Sequence, residues 1–369
     1  MKKMIALIMC LMICLAAVSV HAEEAEESAE SLLVQAEVLF AAEDYQGAAE
    51  LIKKAAEAGD AKAQCVLGDC YANGIGFDQD YQKAAECYML SADQGYAPAQ
   101  TGMGSVYLYG LGVEANPETA LKYFQLAADQ NDPIGQYYMG FFYDAGMAVE
   151  QDAEKALAYY TLSADQGYPD AQYKLGVMYQ TGYGVEPDYD KAFHYYGLAA
   201  AQNYPEALTA MGYFYGQGLG TAQNTGEMLK YYNLAADMGE PMAQFNLGCC
   251  YRDGAGVEQN FEEMLKYFRL AVDQGNANAQ FNLGFCYYIG QGVEQDYDEA
   301  FRLYQLAADQ EFPVAMFAVG DCYYLGAGTE QNFAAAAEWY QKSLDAGYEP
   351  DETDQAHMNE VLGKDSSNP

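Results

Sequence analysis

The sequence predicts an all-α protein, a right-handed α/α superhelical solenoid of helix–turn–helix repeats. Three observations carry that prediction. First, a Leu-Gly-like pair returns every 36 residues with no insertion: Leu67-Gly68, Met103-Gly104, Met139-Gly140, Leu175-Gly176, Met211-Gly212, Leu247-Gly248, Leu283-Gly284 and Val319-Gly320. Self-similarity at such a period marks stacked repeats. Second, the apolar residues within each copy fall at helical spacing. Third, Gly, Asp and Asn recur where helices would end and begin.

The chain opens with Lys2 and Lys3, followed by an uncharged apolar run from Met4 to Val20 and then Val20-His21-Ala22. This is the pattern of an export signal over residues 1–22, cut after Ala22. The mature chain is then expected in the periplasm, at the cell surface or in the medium. Residues 23–60 read as a degenerate capping hairpin, in which Asp44, Ala48, Ile52 and Ala56 stand one period before Asp80, Ala84, Tyr88 and Ala92. This unit lacks a Gly-x-Gly loop and is more polar, as the terminal unit of a stacked array must be.

Residues 61–348 hold eight units of two helices each. In the first helix, Ala63, Leu67, Gly68 and Tyr71 lie at i, i+4, i+5 and i+8, which is one helical face. The small Gly68 allows a neighbouring helix to approach closely. Gly74, in the pair Gly74/Gly76, is placed to end that helix with a positive φ. The pairs Gly182/Gly184 and Gly290/Gly292 repeat it, whereas Gly146-Met147-Ala148 departs from it and is expected to alter its loop. Asp80, Asn116, Asp152, Asp188, Asn224, Asn260, Asp296 and Asn332 are N-caps for the second helix. Ala84, Tyr88 and Ala92 continue as its buried face. Glycine at 95, 167, 239, 275 and 347 closes it, and proline at 133, 169, 205, 241 and 313 suits the first turn of the next unit. Residues 349–369 form a C-terminal cap and tail, with a short helix expected over 352–362.

Composition excludes several function classes. Half of the chain is apolar (51%), with 35 tyrosines and 16 phenylalanines, so it is not disordered. Removing Lys2 and Lys3 from the 17 basic residues leaves 15 against 54 acids, a net charge of −39. Such a polyanion repels phosphate backbones, so no nucleic-acid partner is expected. Seven cysteines would remain: Cys65, Cys70, Cys87, Cys249, Cys250, Cys286 and Cys322. An odd set without matched spacing is no disulfide framework, and Cys70, Cys250, Cys286 and Cys322, at one repeat position, read as buried packing.

The motifs A-x-x-x-L-G-x-x-Y-x-x-G-x-G-V, D-Y-x-K-A and Y-Y-x-x-A-A-D-Q-G resemble those of the Sel1-like repeat family, relatives of the tetratricopeptide repeats. Residues 167–184, G-Y-P-D-A-Q-Y-K-L-G-V-M-Y-Q-T-G-Y-G, are a clear instance. The resemblance implies an adaptor or scaffold in protein complexes. One cysteine-rich branch of the family is β-lactamase-like, with cysteines at positions matching Ala92/Gln100, Ala128/Gln136 and Ala164/Gln172; none is cysteine here.

In the related units three first-helix positions line a concave groove. Carried over, the first position holds Tyr137, Tyr173, Phe245, Phe281 and Phe317. The second holds Phe141, Tyr213 and Phe285, and the third holds Arg252, Tyr288 and Tyr324. The aromatics would grip side chains of a protein or peptide ligand, and Arg252 would meet a carboxylate. Asn246 and Asn282 read as structural.

Catalytic motifs are missing: no S-x-x-K, G-x-S-x-G, H-E-x-x-H or G-x-x-x-x-G-K occurs. His194 and His357 lie far apart, with His194 expected on the outer face beside Tyr195. The run Gln295-Asp296-Tyr297-Asp298-Glu299 lacks the loop glycine and twelfth-position glutamate of a calcium loop. The expectation is therefore an exported, monomeric scaffold with a protein or peptide partner, no catalytic residue, no metal and no cofactor. The alternative is an envelope enzyme acting on peptidoglycan or β-lactams.

Overall fold

The computed structural model describes residues 28–363, so the export signal expected at 1–22 and the tail from Lys364 to Pro369 lie outside the described residues. Among the described residues there are nineteen α-helices and no strand. The chain divides into two compact units, Met1–Pro187 and Asp188–Pro369. The first holds α1 (Ala29–Ala41), α2 (Tyr45–Glu57), α3 (Ala61–Asn73), α4 (Tyr81–Asp93), α5 (Ala97–Tyr109), α6 (Pro117–Asp129), α7 (Pro133–Ala145), α8 (Ala153–Asp165) and α9 (Pro169–Thr181). The second holds α10 (Tyr189–Ala200), α11 (Pro205–Gln217), α12 (Thr225–Asp237), α13 (Pro241–Asp253), α14 (Phe261–Asp273), α15 (Ala277–Ile289), α16 (Tyr297–Ala308), α17 (Pro313–Leu325), α18 (Phe333–Asp345) and α19 (Glu352–Leu362). Within each unit consecutive helices pack in pairs and each pair packs on the next. This is the helix–turn–helix repeat class that the period predicts.

Local chemistry sets the helix ends. Every second helix from α4 to α18 starts on the expected Asp or Asn. Asp80 Oδ1, for example, accepts from the Lys83 N–H at 3.0 Å, and Asn116 Oδ1 from that of Thr119 at 2.8 Å. First helices vary more. Asp60, Asp132, Glu240 and Asn276 cap with their side chains. Where Tyr96, Tyr168, Tyr204 or Phe312 stands at the cap instead, a proline occupies the first turn. Proline removes a donor that would otherwise need a partner and is already at helical φ.

Each first helix from α3 to α17 ends on a left-handed glycine, from Gly74 at φ 64° to Gly326 at φ 70°. Residues Gly146-Met147-Ala148 correct an expectation, because their loop is not altered. Ala148 adopts φ 57°, close to the 74° of Gly76. Met147 donates to Phe142 O at 3.0 Å just as Ile75 donates to Cys70 O at 2.9 Å. The loop's hydrogen bonds therefore hold an alanine in a glycine conformation.

The core repeats with the sequence. Gly68, Gly104, Gly140, Gly212, Gly248, Gly284 and Gly320 each lie against the aromatic ring of their own repeat's second helix. A Cβ on any of them would come within 3.0 Å of a ring carbon. The rings are buried, and Phe124, Tyr160, Phe268 and Tyr340 fully so. Glycine here costs about 1 kcal/mol of helix propensity against alanine and in return admits a whole ring between two helices. The cysteines at 70, 250, 286 and 322 are buried in the same layer, as expected.

One recurring contact was not evident from periodicity. Gln64, Gln100, Gln136, Gln244 and Gln280 are buried on first helices, and each Oε1 accepts from a glutamine thirty residues later. The donors are Gln94, Gln130, Gln166, Gln274 and Gln310, at 2.7–2.8 Å. Gln64 and Gln244 in turn donate to Ala56 O and Ala236 O on the preceding repeat. The Gln64 and Gln244 pairs thus tie two helices of one repeat to the last turn of the repeat before it.

Candidate functional site

The three first-helix positions sort differently once packed. At the first position the rings lean on the core. The Tyr137 centroid lies 5.6 Å from Tyr160 and 5.2 Å from Tyr168. Phe245 lies 5.8 Å from Phe268, and Phe281 lies 5.5 Å from Tyr304 and 5.9 Å from Phe312. Phe317 is stacked between Tyr340 and Tyr348 at 5.2 and 4.9 Å and is only 6% exposed. Tyr173 is half-buried. These residues form a floor rather than a free surface. Burial pushes the Tyr137 hydroxyl up to about 12.

The second position supplies the open rings. Tyr213 on α11 and Phe285 on α15 are 43% and 45% exposed. Phe141 is half-buried, edge-on to Tyr138 and Phe142. In the end repeats the same position holds Asp69 and Asp321, which accept the hydroxyls of the core tyrosines Tyr88 and Tyr340, both at 2.7 Å. Burial raises Asp69 to about 6 despite that hydrogen bond, and it raises Asp321 likewise.

The third position is engaged within the chain. Arg252 chelates Asp253 through Nε and Nη2 at 2.8 and 3.0 Å, and its Nη1 donates to Asn282 Oδ1 at 2.8 Å. Its carboxylate partner is therefore its own neighbour, and Asn282 has the structural part expected of it. Tyr288 packs edge-on to Tyr297 at 5.2 Å. Tyr324 stacks on His357 of α19 at 4.8 Å and donates to Glu360. His357 Nδ1 also lies 3.1 Å from Asp321 Oδ1, so α19 covers the last repeat's second and third positions.

Exposed residues that the tetratricopeptide positions do not include are Tyr109, Ile289 and Leu325, all five residues after the Leu-Gly glycine. The same 36-residue register would have found them. His194 is exposed beside Tyr195 with ring centroids 5.4 Å apart, as expected. Asp296 Oδ1 accepts the Glu299 N–H at 3.0 Å and so serves as a helix cap. Burial lifts the thiols of Cys249, Cys250 and Cys286 to about 11 and that of Cys322 to about 12, away from the thiolate that nucleophilic chemistry needs. The arrangement offers apolar and aromatic contact on a rigid helical frame.

Comparison with known proteins agrees with this geometry. The Sel1 repeat model matches nine consecutive segments: residues 40–60, 61–96, 97–132, 133–168, 169–204, 205–240, 241–276, 277–312 and 313–348. The partial first match is the hairpin read as degenerate. A solved Sel1 repeat protein from Oxalobacter formigenes is 31% identical, with a TM-score of 0.61, covering 68% of this chain and 99% of that one. A protective antigen of uropathogenic Escherichia coli strains, described as displaying an SLR fold, is 27% identical with a TM-score of 0.54. That match covers 92% of this chain and 81% of the antigen. No curated protein sequence matches significantly.

Proposed function

The chain belongs to the Sel1 repeat family, whose repeats are generally protein-interaction scaffolds rather than enzymes, and on that premise we propose that it is an exported, monomeric scaffold. It holds a protein or peptide ligand against the aromatic face of its first helices. The observation that carries the reading is the exposure of Tyr213 and Phe285. They occupy one register two repeats apart, on helices whose core contacts are already supplied by other residues. Aromatic rings with little rotamer freedom on a rigid frame are effective anchors, because few degrees of freedom are lost on binding. The half-buried rings of Phe245 and Phe281 serve as floor between them. Export rests on the pattern Lys2-Lys3, apolar run, Ala22. The charge of −39 left after removal of Lys2 and Lys3 opposes self-association and favours a monomer.

The test is in-cell crosslinking of the full chain followed by mass spectrometry, with and without Tyr213→Ala/Phe285→Ala. Both rings are exposed, so helix content and melting should hold while partner crosslinks fall at least about tenfold. An unchanged crosslink profile refutes the reading. Turnover of a chromogenic β-lactam or labelled muropeptide by the purified chain would favour the enzymatic alternative.

A further inference from the structure

The second helices carry an apolar row that the fold does not require. In the first unit Leu90, Leu126 and Leu162 occupy one register on α4, α6 and α8 and are 57%, 49% and 49% exposed. Of the eight exposed leucines among the described residues, seven share this register, the others being Leu198, Leu234, Leu270 and Leu306 in the second unit. The same register in the opening hairpin and in the last repeat holds Lys54 and Lys342, both exposed. A repeat therefore folds with a polar residue here, and leucine at every intervening repeat has to be explained by something other than packing. A single exposed leucine is ordinary, but a row in register is not.

Charge indicates what covers the row. Three residues on, at the neighbouring point of the helix surface, stand Asp93, Asp129 and Asp165, all exposed and none ion-paired. Four residues before the leucines stand Glu86, Lys122 and Ala158, so the row is bordered mainly by acid. Beside Leu126 an open cavity of about 380 Å³ is lined by Leu121, Lys122, Gln125, Met139, Tyr143 and Val149, room for an apolar side chain. In the second unit the upstream cations Lys230, Lys266 and Arg302 are paired with Glu227, Glu263 and Glu299.

We infer that the leucine–aspartate row of the first unit is a second docking surface, and that its occupant is a cationic amphipathic segment of another protein. That segment presents an apolar edge bordered by Lys or Arg. A second copy of this chain is the poorer fit, since it would bring carboxylates against carboxylates on molecules of net charge −37. The surface lies on the second helices, so it stands or falls independently of the first-helix aromatics.

The probe is a short synthetic amphipathic helix of Leu and Lys carrying a photo-crosslinker, titrated onto the full chain. Two control peptides have Glu in place of Lys, or the same composition scrambled to lose its apolar face. The Leu/Lys helix should bind, crosslink to α4, α6 and α8, and weaken as salt rises. Affinity should fall about tenfold or more in Leu90→Gln/Leu126→Gln/Leu162→Gln and several-fold in Asp93→Asn/Asp129→Asn/Asp165→Asn. It should be unchanged in Tyr213→Ala/Phe285→Ala. Circular dichroism checks the fold of each variant. Equal binding of the scrambled peptide, crosslinks confined to first helices, or wild-type affinity of the leucine variant would overturn the inference. Concentration-dependent dimerisation abolished by the leucine variant would do so in favour of a second copy.

Discussion

Replacing Gln274 with alanine should cost more than replacing its buried partner Gln244, although Gln274 is the exposed one of the two. The Gln244 side chain is buried, and its Oε1 accepts from Gln274 Nε2 at 2.8 Å. Gln274→Ala orphans that oxygen, a penalty of about 1–3 kcal/mol, toward the low end because water can reach the vacated site from the surface. Gln244→Leu instead leaves an exposed amide that turns to solvent. Ala236 O, which Gln244 also bonded at 3.4 Å, keeps its bond from the Gly239 N–H at 2.9 Å. The expected cost is about 0–1 kcal/mol. The double variant Gln244→Leu/Gln274→Met should return close to wild type, because it reproduces the pair Leu208 and Met238 one repeat earlier. Repeat 313–348 likewise lacks both glutamines, with Met316 and Ala346 in their places. Stacked repeats can open locally, so the readout is native-state hydrogen exchange of α13 and α14 alongside urea unfolding. Equal single effects, or a double effect equal to their sum, would refute the idea that the pair acts as one unit.

Two further outcomes follow from backbone and charge. Ala148→Gly should stabilise the chain by about 0.5–1 kcal/mol, since alanine holds φ 57° at a cost of about 1–2 kcal/mol that glycine avoids, less its greater freedom when unfolded. Thermal melting checks the sign, and a lower melting temperature would contradict it. Asp69→Asn should stabilise at pH 7.5. The carboxyl is raised from 3.8 to about 6 by burial, so its folded-state penalty is fully present above that pH, at most about 3 kcal/mol. Protonation removes the penalty as pH falls from about 6 to 4, and the advantage of the variant should vanish over that window. A difference between the two proteins that is flat with pH would show that desolvation of the charge is not the cause.

The repeat architecture was legible because its signals are local. Asp80 caps Lys83 three residues away, Gly74 closes its own helix, and Tyr88 lies on a face set by helical spacing. The partner-binding positions were less legible. Tyr213 and Phe317 look alike as aromatic residues near a Leu-Gly pair, yet one is open and the other is stacked between Tyr340 and Tyr348. Tyr348 lies thirty-one residues further on, past the second helix, where helical periodicity carries no information. The buried glutamines were missed for the same reason. Gln244 sits in a first turn like any polar residue, and its burial depends on Gln274 and Ala236 on other helices.

By itself, then, the sequence determined the 36-residue unit, the start and stop of nearly every helix, and the ring that each repeat buries. All of these are decided within a turn or two of backbone. Tertiary structure alone decided which aromatics face outward, that Arg252 is held by Asp253 and Asn282, and that leucines at a register tolerant of lysine stand exposed beside aspartates. Exposure depends on which neighbouring helices cover a side chain, and a repeating sequence places the same residue type under different neighbours.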